Sequence, residues 1–395
     1  VVPRPPEPSR QTLSYSRLLV ALAMLAGAAL GALYGVRTAI TDRAAASLPP
    51  PWFAPYVDVT LTPTYQFQIP SNEPARQVVL GFVVAGRARC TPAWGGVDDL
   101  AQADSALSLD GRLAQLRQEG VGAVISFGGQ SGTDLALACS NPASLAEAYA
   151  SVVDRYRATT IDLDIEGRAL SDWSAVTRRA AALSRLEAQV RRQHRRLAVW
   201  LTLPVEESGL DDDAQAVIRE MLRDHVTLAG VDVMAMDFGP PVADMAGAAK
   251  RALDSTEAQL ARLYPRYGVR LSAPRIWHTL GMTVMIGEND DAGEQLTVAG
   301  AGELSQFARS RHLGRVSLWS LNRDDECGSD FGEIGVLSPT CSGVAQTSLQ
   351  FDSLFAELPG SAAAVAGQVT SLAPNGSQIS LADSPYPVWQ PADPY

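Results

Sequence analysis

The chain has 395 residues, 46% of them hydrophobic and 19% charged, and Lys+Arg 32 against Asp+Glu 43 leaves a net charge of −11. These proportions exclude a disordered or collagen-like chain and allow one large domain or two ordinary ones. They also give no basic face for a nucleic-acid partner. The histidines (His194, His225, His278 and His312) are scattered, with no HExxH or CxxC spacing, so neither a metal nor a cofactor is expected. Lys250 is the single lysine, so Schiff-base chemistry would rest on it alone.

In chain order, residues 1–17 form a polar, Pro-rich arm. Residues 18–36, LLVALAMLAGAALGALYGV, are uncharged between Arg17 and Arg37. At about 1.5 Å per residue such a helix nearly spans a hydrocarbon core of about 30 Å. The segment reads as a transmembrane anchor or a signal helix. Its length favours the anchor, while Ala44 to Ala46 offers a cleavage site. A linker follows over 37–51, then a folded region over 52–358. The tail, 359–395, is rich in Ala, Ser and Pro. Four cysteines allow three connectivities, and loop placement pairs Cys90 with Cys139 and Cys327 with Cys341. Two disulfides place the folded region outside the cytoplasm, membrane-anchored or secreted after cleavage.

Within 52–358, short β-branched runs alternate with amphipathic stretches. The predicted strands are 56–61, 78–85, 121–127, 159–166, 197–203, 231–237, 275–282 and 315–321. Only the first gap, with QIPSNEPAR, lacks a helical pattern. Eight buried strands with intervening helices imply a parallel sheet. Eight repeats fit an α/β fold of the (β/α)8 barrel type, preceded by the one N-terminal helix, better than an open doubly wound sheet. No GxGxxG follows the first strand, which weakens the open form.

The fourth strand carries the chemistry. In TTIDLDIE, Ile161, Leu163 and Ile165 alternate with Asp162, Asp164 and Glu166. Side chains two apart share a face, so the apolar set packs on outer helices and the acids line the interior. Acids spaced roughly 6–7 Å apart in a confined site cannot all ionise cheaply, and a carboxyl that keeps its proton near neutral pH is a general acid. Glu166 comes last, at the C-terminal mouth where barrel enzymes work.

These residues resemble glycoside hydrolase family 18, the chitinase-like barrels. The family pattern DxxDxDxE is met at Asp162, Asp164 and Glu166, with Thr159 in place of its first Asp. SxGG appears as Ser126, Phe127, Gly128 and Gly129, MxxD as Met234 to Asp237, and the eighth-strand Trp as Trp319. The order matches over roughly 52–356, and surrounding phrases such as APYVDVTL and MIGEND look like a bacterial secreted subgroup.

The resemblance implies a retaining hydrolase of β-1,4-linked N-acetylglucosamine polymers, in which the substrate's own acetamido oxygen attacks the anomeric carbon. Glu166 would be the acid and base, and Asp164 would orient the acetamido group. Asp162, bonded to Ser126, would share a proton with Asp164. Asp237 would position the acetamido group, Trp319 would form the floor under the sugar, and Gly128 and Gly129 would let backbone approach. Many relatives carry a tyrosine just before the sixth-strand Asp; here Met236 precedes it and Phe238 follows, and neither donates a hydrogen bond. Losing one such donor costs on the order of 10²-fold in rate, which predicts a slow or narrow enzyme.

Trp94 and Trp173 follow the second and fourth strands and are candidates to stack on sugar faces; Trp52, Trp200 and Trp277 read as core or wall. His278, on the predicted seventh strand, reads as a bonded core residue. The ending YPVWQPADPY resembles the opening of a small chitin-binding module. The expected partner is a GlcNAc-containing polysaccharide or oligosaccharide, with the membrane through residues 18–36, and the expected state is a monomer. A non-catalytic sugar-binding barrel, or an enzyme on peptidoglycan or N-glycan cores, are the alternatives.

Overall fold

The computed structural model describes residues 51–69, 75–239, 241–328 and 337–358, and before these only Leu19, Val20, Leu22, Met24, Gly27 and Leu48. The chain divides into two compact units, Val1–Ser47 and Leu48–Tyr395. Of the predicted span 18–36 only the first five of those positions are described, all helical; the tail 359–395 lies outside the described residues. No described helix is long and apolar enough to cross a membrane.

The first barrel strand is interrupted, running as Trp52–Phe53 and then Tyr56–Asp58. Its first part pairs in parallel with the eighth strand, Arg315–Trp319, and its second part with the second strand, Gln77–Ala85, so the sheet closes on itself. Between them run the third (Gly122–Gly128), fourth (Thr160–Asp164), fifth (Ala198–Pro204), sixth (Leu228–Met234) and seventh (Leu280–Met285) strands, each parallel to its neighbours. The α/β parallel barrel expected from the alternation is therefore present. Between the first two strands the described residues hold no helix.

Helices cover the outside because each strand turns one apolar row outward. Ile161 and Leu163 are buried in the apolar layer with Val152, Val176 and Leu183 of the helices Pro142–Arg155 and Trp173–Arg192. Those helices start where side chains satisfy their free N–H groups. Asn141 accepts from Ala143 and Ser144, Asp172 from Ala175, and Asp211 from Ala214 of the helix Asp212–Arg223.

The predicted boundaries hold least well on the seventh strand. Residues 273–278 form a helix, Ala273–His278, with Pro274 in its first turn, where a missing N–H costs nothing. The strand begins only at Leu280. Trp277 and His278 thus lie on a helix, not a barrel strand. The sixth strand ends at Met234, although the Ala235 N–H still bonds to Thr283 at 2.8 Å, so Met236 and Asp237 sit on the loop beyond it. Disulfides join Cys90 to Cys139 and Cys327 to Cys341, the pairing expected. The first staples the loop after the second strand to the loop after the third.

Candidate active site

Asp162 and Asp164 point into the barrel from the fourth strand while Ile161 and Leu163 point out, as the alternation requires. The ladder continues one bond beyond the strand, from Ile165 N–H to the Thr202 carbonyl at 3.0 Å. Glu166 keeps extended backbone (φ −128, ψ 165) and precedes the helix Gly167–Ser171. The three acids therefore climb the barrel interior to its mouth.

Asp162 lies deepest. It accepts hydrogen bonds from Ser126 Oγ, Tyr56 hydroxyl, Thr202 Oγ1 and Arg315 Nη1. Asp164, one step up, is buried, with one carboxyl oxygen unpartnered among protein atoms. Burial, then the charges of Glu166 and Asp162, push its carboxyl well above the usual range. Glu166 is also raised, mainly by burial and further by Asp237 and Asp290. A hydrogen bond from Asp164 pulls it partly back.

A cavity of about 380 Å³ opens above this pair. Asp164, Glu166, Met236, Asp237 and Trp319 line it, together with Phe82, Gln130, Met285, Asp290 and Asp291. Trp319 stacks on Phe82 with ring centroids 5.5 Å apart and meets Tyr56 edge-on at 6.0 Å. That contact holds its indole as an apolar wall beside the acids.

Ser126, Gly128 and Gly129 do not line the cavity; they build the ground behind it. Gly128 has φ +98, and a Cβ there would lie 2.0 Å from the Asp164 carbonyl oxygen. Gly129 has φ +83, and a Cβ would lie 2.9 Å from the Phe82 ring, while its N–H bonds to the Asp164 carbonyl at 3.0 Å. Only glycine satisfies both the dihedral and the space.

The aromatics Trp94, Trp173 and Phe238 do not line the cavity. Trp94 is wholly buried and donates to the Tyr156 hydroxyl at 2.9 Å. Its strand, Pro92–Trp94, runs antiparallel to the second barrel strand and turns the indole toward the helix Pro142–Arg155 and away from the cavity. Trp94→Ala is accordingly expected to cost about 3–5 kcal/mol of stability with KM for oligosaccharides unchanged, as denaturant unfolding beside steady-state kinetics would show. Phe238 is buried in the apolar core, because the positive φ of Asp237 (+48) turns the chain at that point. Trp173 remains an exposed aromatic, and it is not among the cavity residues.

Asp237, Asp291 and Glu294 bring ligand-type oxygens within 4.8 Å of one another. Backbone donors already serve them. Asp291 N–H bonds to Asp237 at 3.1 Å, Gly239 N–H to Asp291 at 2.8 Å, and Phe238 N–H to Glu294 at 3.1 Å. Burial, then the adjacent Asp290 and Asp291 charges, raise the Asp237 carboxyl.

The residues that sequence reading passed over are Tyr56, Thr202 and Thr283, which line the cavity beside the acids, and Asp232 and Arg315, which are buried in the barrel with Asp162. Asp232 accepts from Thr283 Oγ1, lies 3.7 Å from Arg315 and is raised by burial to about 6 against the pull of that cation. Its signal was in plain view, since VDVM sets an acid between two outward valines just as the fourth strand does.

No protein-family model matches the chain. It is 31% identical over 286 residues to a protein of Escherichia coli (strain K12) called "Probable bifunctional chitinase/lysozyme", covering 69% of this chain and 31% of that protein. It is 30% identical over 284 residues to "Endochitinase 11" of Metarhizium anisopliae, covering 69% of this chain and 52% of that protein. The chain thus spans about a third to about a half of the length of these curated relatives. Among solved structures, the catalytic domain of a hyperthermophilic chitinase from Pyrococcus furiosus superposes with TM-score 0.67 at 28% identity, over 78% of this chain and 94% of that one. Catalytic-site mutants of active domain 2 of a thermostable chitinase from the same organism, complexed with chito-oligosaccharides, superpose with TM-score 0.68 at 26% identity, over 84% and 98%.

Proposed function

From the premise that this chain is a chitinase-like member of glycoside hydrolase family 18, we propose that it hydrolyses β-1,4-linked N-acetylglucosamine polymers with retention, using the substrate's acetamido group as nucleophile. The observation that carries this reading is the placing of buried Asp164 beside Glu166 on the wall of a cavity that Trp319 also lines.

One shared proton is all the chemistry needs. When it passes from Asp164 to Glu166, the same transfer creates a general acid and an anion. Glu166 then protonates the leaving glycosidic oxygen. Asp164, now ionised, accepts the acetamido N–H, aligns the carbonyl oxygen on the anomeric carbon and stabilises the positive oxazolinium that forms. Water next attacks that carbon from the side the leaving group vacated and gives its proton to Glu166, so the product keeps its configuration. Asp237 helps hold the acetamido group, and Trp319 lies under the ring. Met236 lines the cavity where many relatives place a tyrosine, which fits a slow enzyme.

We place the enzyme outside the cytoplasm, where its two disulfides persist, with 18–36 as the segment that would export or anchor it. The test is hydrolysis of soluble chitooligosaccharides by the whole chain, with the anomer of the first product read by proton NMR. The β-anomer is expected. An α-anomer would overturn the acetamido route, and binding without cleavage would leave a sugar-binding barrel. Since one similar protein is named for chitinase and lysozyme together, peptidoglycan is the second polymer to assay.

A further inference from the structure

In a parallel barrel every strand is entered from one face and left at the other. The cavity lies at the exit face, and the helices end where the strands begin, on the entry face. The segments that enter the fourth, fifth and seventh strands, 156–159, 193–197 and 264–279, carry arginines and no acid. Arg157, Arg196, Arg266, Arg270 and Arg275 are exposed there, and none of them makes an ion pair with a described residue. Glu119 and Asp224 are the acids in the segments that enter the third and sixth strands. At the exit face the sign reverses. Beyond the fifth strand Glu206, Asp211, Asp212 and Asp213 are exposed, and Asp237, Asp290 and Asp291 line the cavity. A net charge of −11 gave no basic face to expect; the fold separates the charges and makes one.

Part of this polarity belongs to the helices. Arg155, Arg191 and Arg223 stand in the last turns of their helices, where a cation complements the carbonyl end. They are also paired, with Asp110, Glu187 and Glu220. Arg157, Arg196 and Arg270 have no such employment. They lie beyond the ends of the helices Pro142–Arg155 and Trp173–Arg192 and of the 3-10 turn Tyr264–Tyr267, and their guanidinium groups have no partner among the described residues. Like charges gathered on one face repel one another, and an anionic surface brought against them relieves that repulsion.

We propose that the entry face of the barrel docks on an anionic phospholipid bilayer through Arg157, Arg196 and Arg270, an interaction that does not depend on which polymer the cavity cleaves. Two observations favour a bilayer over a soluble anion. The arginines are spread over three entry segments, as a broad charged surface requires. The first strand also starts on this face: Trp52 pairs with Arg315, the first residue of the eighth strand. Whatever precedes residue 51 therefore joins the barrel there, and the uncharged run 18–36 lies upstream in the same chain. Each cation near an anionic bilayer strengthens binding roughly fivefold, within a Debye length of about 8 Å. The same surface repels the acidic exit face, so docking leaves the cavity mouth turned away from the lipid and open to a polymer.

The experiment mixes the whole chain with vesicles of phosphatidylcholine alone and of phosphatidylcholine with phosphatidylglycerol, and reads the bound fraction by sedimentation. The ratio of the two partition coefficients is the preference for anionic lipid, and the residues before 51, common to every variant, contribute to it equally throughout. The parent is expected to prefer the anionic vesicles, with the preference fading as salt is raised. Combining Arg157→Gln, Arg196→Gln and Arg270→Gln is expected to remove about 10²-fold of it. The three lysine substitutions keep it, because a bilayer reads charge and not the guanidinium fork. Turnover of soluble chitooligosaccharides stays that of the parent in both variants, since none of the three arginines lines the cavity. A parent without the preference overturns the proposal, and so does a glutamine variant that keeps it. Retention of inorganic polyphosphate without a preference among vesicles would assign the face to a soluble polyanion and overturn it too. If the glutamine variant does not fold, the lipid and salt dependence of the parent and of the lysine variant still decide the matter.

Discussion

Glu166→Gln is expected to lower chitooligosaccharide hydrolysis by about 10²–10⁴-fold, the usual worth of a positioned general acid, while binding of the same oligosaccharides survives. Glutamine keeps the shape and one acceptor oxygen but has no proton to give the glycosidic oxygen and cannot later take one from water. Both half-reactions stop at the same residue. The cavity wall, with Trp319 on Phe82 and Asp237 on its backbone donor, is untouched by the change. Steady-state turnover set against calorimetric binding checks this. A variant that turns over like the parent would remove Glu166 from the chemistry and move attention to Asp164 and Asp237, the other raised carboxyls of the cavity. A variant that no longer binds would mean that the glutamate holds the sugar rather than cleaves its bond.

How much of this was legible before the fold was known depends on the range of each interaction. Asp162, Asp164 and Glu166 announce themselves because alternation within one strand is local information. The same signal lay in VDVM at Asp232 but was passed over. Arg315 and Tyr56 carried no such mark. Their partners are set by barrel closure, across 153 residues from Arg315 to Asp162 and 259 from Arg315 to Tyr56. Trp94 and Phe238 were misplaced for a related reason. A large apolar residue just past a strand can turn toward solvent or core, and what decides is a hairpin in one case and a positive φ in the other. On the seventh strand, Ile276 and Trp277 read as β-formers, but Pro274 opens a helical turn whose propensity outweighs them over so short a run.

Asp164→Asn should show the conflict between stability and chemistry most sharply. In the fold, burial and the charges of Glu166 and Asp162 hold the Asp164 carboxyl well above its unfolded value of about 3.9. The folded state therefore binds the proton more tightly than the unfolded chain does. Stability from that proton is fully present below the unfolded value and is lost as pH rises through the folded one. An asparagine presents an N–H in place of the acidic proton and does not titrate. The variant should accordingly melt at a higher temperature than the parent at neutral pH, with the advantage shrinking as pH falls and gone by about pH 4. The same substitution should cost about 10²–10³-fold in kcat, because a neutral amide neither passes a proton to Glu166 nor balances the oxazolinium charge. Thermal melts across pH beside turnover measure both effects on one protein. A parent that is the more stable of the two at neutral pH would show that Asp164 is ionised and well solvated in the free enzyme. In that case the cavity could not supply the shared proton, and the acid role of Glu166 would need another source for it.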